Sequence, residues 1–350
     1  MLVASACLLA ACGGGTAGTP AAAGLTAREY LDAREAVEKF LSAERTREAV
    51  IVARKLVEKA PEGSEFAARA NEVASRALFT HARLPTSGLA PDEREALLRE
   101  AALCAIRSIE PGGRDAAAIG FAALLAAGAG MHDDAVRLFD EALAIEPENP
   151  AFLMHATLAA LRAGGGVEGH GGIDRARAYV ARRRAADPAS AWNDGLDAEI
   201  ALAAKDPTTA VRLADRAMAA ERGMLEFRLI AARALRADGR AADAARMLSA
   251  LEDAERAKPA IAEQFALALA ESGDAPGAAR AWSECLRANP ADAFVRAECA
   301  IAHHRAGDSA RAAAEMELLR AMPAAGAHLS RAEAALREET ALREETTAPR

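Results

Sequence analysis

Residues 260–290 read AIAEQFALALAESGDAPGAARAWSECLRANP, a stretch that fits two opposed helices. In its first half Ala262, Ala266 and Leu269 recur at helical spacing and mark one apolar face. Gly273 stops that helix, because glycine enters the left-handed conformation of a helix end without steric cost. Asp274 then offers a side-chain acceptor to the open N–H groups of a second helix. Pro276 sits in that helix's first turn, where a missing N–H is no loss. Ala278, Trp282 and Cys285 form the second apolar stripe, and Pro290 ends the unit.

Outward from this unit, Lys205, Gly239, Gly273 and Gly307 stand 34 residues apart, each five residues before an alanine: Ala210, Ala244, Ala278 and Ala312. Asp206, Asp274 and Asp308 share one capping place, so the local chemistry agrees with the long-range period. Such a period marks a helical hairpin that buries its apolar face only against its neighbours. The pattern resembles the tetratricopeptide repeat, with its small packing residues, turn residue and closing proline at fixed places. In the same register Ala300, Gly307, Ala312, Met316 and Leu319 define the last unit, and Ala232, Gly239, Ala244, Leu248 and Leu251 the one before Pro259.

Earlier units are looser. Ala123, Gly130, Ala135, Phe139, Ala142 and Pro147 fit well; Ala49, Ala53, Leu56 and Pro61 mark the second helix of a unit opening near Thr26; residues 93–111 read as a weaker second helix. Residues 164–172, GGGVEGHGG, read as an enlarged turn; a phosphate-cradling loop would need a preceding strand, a lysine and a hydroxyl that are missing. About eight hairpins result. The resemblance implies an all-α, right-handed superhelical solenoid over residues 25–324, followed by a capping helix and charged tail over residues 325–350. In that tail ALREET occurs twice, at 335–340 and 341–346, and its charge fits a solvated helix extension or a docking segment.

Composition agrees: the 350 residues are 52% hydrophobic but only 4% aromatic, with alanine supplying helix propensity and close approach. The net charge is −8 and arginines alternate with acids at helical spacing, so no clustered positive footprint for nucleic acid exists.

Residues 1–11 read MLVASACLLAA, an uncharged run too short to span a bilayer, followed by Cys12 and three glycines. Leu9, Ala10, Ala11 and Cys12 resemble the lipobox of bacterial lipoproteins, which implies a truncated signal over 1–11, lipidation of Cys12, and a flexible tether over 12–24. No lysine or arginine precedes the apolar run, which departs from that pattern, and the composition also suits a simple apolar chain end. Gly13 after the cysteine implies, by the enterobacterial sorting convention, the cell envelope at the periplasmic face of the outer membrane.

Cys104, Cys285 and Cys299 remain in the array without CxxC spacing, so no zinc site is read; Cys285 and Cys299 are either bonded or two buried thiols. His170 has no second ligand nearby, the His303 and His304 pair has no third, and His303 falls on an inward-facing place. No metal, cofactor or small-molecule substrate is therefore expected. No nucleophile elbow, zinc-protease helix or phosphate loop is present, and the repeats leave no room for a catalytic domain, so the chain reads as a non-enzyme. The resemblance implies an interaction scaffold for a peptide or helix, with a spacer or assembly role in an envelope complex as the alternative and an enzyme with an unrecognised site as the last. By family register the concave groove is lined by Trp192, Glu199, Arg233, Arg236, Glu263, Leu267, Glu271, Phe294, His304 and Arg305. Trp192, Arg233, Arg236 and Phe294 lead as partner contacts because aromatics and arginine dominate interfaces, although Trp192 also suits an inter-repeat gap. Family members that clamp C-terminal carboxylates use lysine and asparagine at two of these places, where Gly195 and Glu199, Leu229 and Arg233, and Glu263 and Leu267 stand here.

Overall fold

The structure, a computed structural model, describes residues 25–347 apart from 63, 85–86, 90, 110–114, 164–169 and 323–324. The signal-like run, Cys12 and most of the glycine-rich turn lie outside the described residues. Every regular element described is a helix, and none is long and apolar enough to cross a membrane. The helices succeed one another as pairs: α1 (Ala27–Ser42) with α2 (Thr46–Lys59), α3 (Glu65–Arg83) with α4 (Pro91–Ile109), and α5 (Ala116–Gly128) with α6 (His132–Ile145). Next come α7 (Pro150–Ala163) with α8 (His170–Ala186), α9 (Ala191–Ala203) with α10 (Pro207–Ala220), and α11 (Leu225–Ala237) with α12 (Ala241–Ser249). After the single turn α13 (Asp253–Arg256) follow α14 (Pro259–Glu271) with α15 (Ala275–Ala288), α16 (Ala293–Arg305) with α17 (Ser309–Arg320), and α18 (Gly326–Thr347).

One turn design joins the members of most pairs. Lys205, Gly239, Gly273 and Gly307 all have positive φ, at 59°, 75°, 87° and 84°. The next N–H in each case, from Asp206, Arg240, Asp274 or Asp308, donates 2.8–3.0 Å back to the carbonyl five residues earlier. That bond satisfies a carbonyl the ending helix would otherwise leave open. Glu44 and Gly130 repeat the geometry at the turns after α1 and α5. The three aspartates then cap the following helix as read from the sequence, accepting from the N–H groups of Thr209, Gly277 and Arg311 at 3.1, 2.9 and 3.0 Å.

Close approach of the helices rests on small residues. Ala210, Ala244, Ala278 and Ala312 are at most 1% exposed, with Leu248, Trp282 and Met316 filling the space beside them. Two glycines seat an aromatic of the next pair. A Cβ at Gly195 would lie 2.7 Å from the Phe227 ring, and one at Gly120 would collide with Phe152 in the same way.

Three sequence expectations shift. Helix α8 already includes His170, Gly171 and Gly172, so the turn ends sooner than 172; Ala176, Tyr179 and Val180, buried further along, anchor the helix and carry its glycine-bearing first turn. The weak helix over 93–111 belongs to a full pair whose members, α3 and α4, run 19 residues each, longer than the 13 or 14 typical of later pairs. The first ALREET copy touches α16 through Glu339 and Thr340, while Arg337, Glu338 and Thr340 stay exposed.

Candidate interaction groove

The leading helices of successive pairs, α5, α7, α9, α11 and α14, each touch the next, and two antiparallel turns per unit make them run in the same direction. Between α7, α9, α11 and α14 lies a cavity of about 730 Å³. Leu158, Leu161 and Arg162 form its α7 wall, Trp192 and Glu199 come from α9, Leu229, Arg233 and Arg236 from α11, and Glu271 from α14. Trp192 meets Phe227 edge-on at 5.0 Å between centroids, so it fills an inter-repeat gap and faces the cavity as well.

The charges here join neighbours. Arg233 Nη1 donates to Glu199 Oε1 at 2.7 Å, and Arg236 donates from Nε and Nη2 to the two Glu271 oxygens at 2.9 and 2.5 Å and from Nη1 to Gln264. The Glu199 carboxylate is only 12% exposed and Arg236 only 17%, so these bonds are worth more than an ordinary surface pair. Glu263, by contrast, makes no hydrogen bond or ion pair among the described residues. Burial first, then the Asp292 charge, pushes its carboxyl up, with Arg236 opposing.

No family model matches the sequence, and no curated protein matches it. Solved structures do. A tetratricopeptide repeat protein from Parabacteroides merdae ATCC 43184 aligns with a TM-score of 0.50 at 13% identity, over 69% of this chain and 93% of its own. The human IFIT1 dimer with PPP-AAAA gives 0.52 at 13% identity over 85% and 73%, and the APC/C hetero-tetramer Cut9–Hcn1 gives 0.52 at 11% over 88% and 56%. The fold is a tetratricopeptide-like solenoid. At such identities the likeness is one of architecture alone.

In this tetratricopeptide-like array the groove residues expected from the sequence separate into three groups. Trp192, Glu199, Arg233, Arg236 and Glu271 share the cavity, whereas Glu263 and Leu267 lie outside its lining. Phe294, His304 and Arg305 instead meet α18. Phe294 packs edge-on between Trp282 and His328, each at 5.9 Å, beneath the Arg331 guanidinium. Arg305 reaches Glu339 at 3.7 Å and His304 reaches Thr340 at 3.5 Å. These partners follow one repeat step later, which makes α18 the leading helix of one more unit. At Ala341, where a turn glycine would fall, the chain lacks one and the helix runs on.

Sequence reading missed the α7 wall. Its signal was Pro150 behind Asn149, whose side chain accepts from the N–H groups of Ala151 and Phe152 as a helix cap; counting from Pro150 puts Leu158, Leu161 and Arg162 on the groove. His303 is a buried residue bonded to Ser283 Oγ at 3.1 Å. No metal-holding cluster occurs among the described residues, and Cys104, Cys285 and Cys299 are all free thiols. Burial pushes Cys104 and Cys285 up to about 11, which keeps them protonated and unreactive at neutral pH.

Proposed function

We propose that this chain is a non-catalytic scaffold that holds a peptide or helix of a partner protein in its concave groove, and that lipid on Cys12 carries it at the cell envelope. The cavity between α7, α9, α11 and α14 is the observation behind the first half, because it joins a partly exposed Trp192 to Leu158 and Leu161 in a concavity large enough for several side chains. A protein partner fits better than nucleic acid: the net charge is −8, and Arg233 and Arg236 are already engaged by Glu199 and Glu271. The anchor reading rests on Leu9, Ala10, Ala11 and Cys12.

Photo-crosslinking in the native host tests the groove. A crosslinker at Leu158 should trap a defined protein that one at the exposed Ile51 on α2 does not; equal trapping from both positions would remove the groove from the proposal. Labelled fatty acid tests the anchor, since it should enter the wild-type protein and not Cys12→Ser.

A further inference from the structure

The cavity lies where the concave face changes character. Toward the N-terminal side its neighbours are apolar: Phe121 and Leu124 on α5 are 37% and 40% exposed, and Leu158 and Leu161 continue that row onto α7. Toward the C-terminal side Arg233 and Arg236 are held by Glu199 and Glu271. A carboxylate approaching Arg233 meets a guanidinium whose charge Glu199 already offsets. Two lining charges carry no such restraint. Arg162 and Glu226 are both exposed, and neither makes a hydrogen bond or ion pair among the described residues.

Their placement gives the groove a polarity. Arg162 is the penultimate residue of α7 and Glu226 the second residue of α11. Because leading helices run in the same direction, the end of one and the start of another lie on opposite rims. Among the described residues the apolar floor is therefore bracketed by one unpaired cation and one unpaired anion. A partner that supplies both complements loses no bond seen among those residues, whereas a polyanion would meet arginines whose charge is mostly offset by Glu199 and Glu271.

We infer that the occupant is a short amphipathic segment of another protein. Its apolar side chains rest on Leu158, Leu161 and Trp192, a carboxylate meets Arg162, and a lysine or arginine meets Glu226. This inference rests on the scaffold reading above and adds the chemistry and orientation of what is held.

A displayed library of random peptides, selected on the intact protein, tests it. Enriched sequences should carry an apolar run with an acid on one side and a base on the other. A synthetic copy of the best peptide should bind about fivefold more weakly to Arg162→Glu. Exchanging the peptide's acid for lysine should restore binding to that variant. Circular dichroism checks that each variant keeps its helicity.

Peptides that lose binding to Trp192→Ala but bind Arg162→Glu and Glu226→Arg as well as wild type would overturn the inference and leave the scaffold reading standing. Enriched peptides indifferent to Trp192→Ala would overturn both. An unenriched library, or a concentration-dependent dimer that Trp192→Ala dissolves, would overturn the inference by removing the linear segment or making a second copy the occupant.

Discussion

Leading helices α5 and α7 place Leu124 and Leu158 at their ninth residue, where α9 and α11 place Glu199 and Arg233. Leu124 is 40% exposed; Glu199 is 12% exposed and bonded to the next unit. The two stretches differ in spacing as well. Every step from Lys205 to Gly307 is 34 residues, while Gly130 and Lys205 are not a whole number of such steps apart. In a solenoid, stability is a sum of unit and neighbour terms, so groove side chains that tie one unit to the next belong to the ledger of the array. Those left apolar and exposed do not, and an exposed apolar row signals contact with something else.

The largest break in this comparison should come from Trp282→Ala. Trp282 is fully buried between regular units, so its truncation should cost about 3–5 kcal/mol, read by chemical denaturation, with amide exchange rising first in α14 to α16. Leu124→Ala should change stability by less than about 0.5 kcal/mol. Similar losses from both would mean that the apolar stretch is core and not a contact surface. Ala278→Leu probes the same regular half from the opposite direction. With no room at a 1% exposed site, overpacking should cost about 1–3 kcal/mol.

What could be read in advance follows the same division. Asp206, Asp274 and Asp308, together with the turn residues before them, announced the later hairpins because each uses local chemistry that a sequence displays directly. Trp192, Glu199, Arg233 and Arg236 reached the shared cavity by counting from those turns. Leu158, Leu161 and Arg162 escaped because α7 ends in the glycine-rich insertion, which removes the turn residue from which to count. Phe294, His304 and Arg305 lie outside that cavity because their contacts are with α18, a long-range partner invisible to local spacing.

The turn position offers a finer comparison, since Lys205 adopts φ 59° where Gly239 and Gly307 sit at 75° and 84°. A side chain in that region costs about 1 kcal/mol relative to glycine. Lys205→Gly should therefore stabilise by up to about 1 kcal/mol, and Gly239→Ala should destabilise by about the same amount, both as midpoint shifts in urea. No change from either would separate the shared turn geometry from the stability of the array.

The smallest effect concerns the exception inside the regular half. Glu199 and Glu271 each hold a guanidinium, whereas Glu263 has no partner among the described residues, only burial and Asp292 raising its carboxyl against the pull of Arg236. A folded-state pKa raised above the unfolded value near 4.5 means that the native chain binds the proton more tightly. Through the interval between the two values the native state then carries more protons, so stability falls as pH rises. Above the folded value the whole penalty is present; well below 4.5 it is absent. Glu263→Gln should accordingly raise the denaturation midpoint at pH 7 and lose that gain in acid. Glu199→Gln should lower the midpoint at pH 7, by less than about 1 kcal/mol, because it removes a partner from Arg233. Opposite signs from two carboxylates on leading helices α9 and α14 would mean that pairing decides what a charge contributes. Equal signs would undo the division between tied and untied side chains on which the comparison rests.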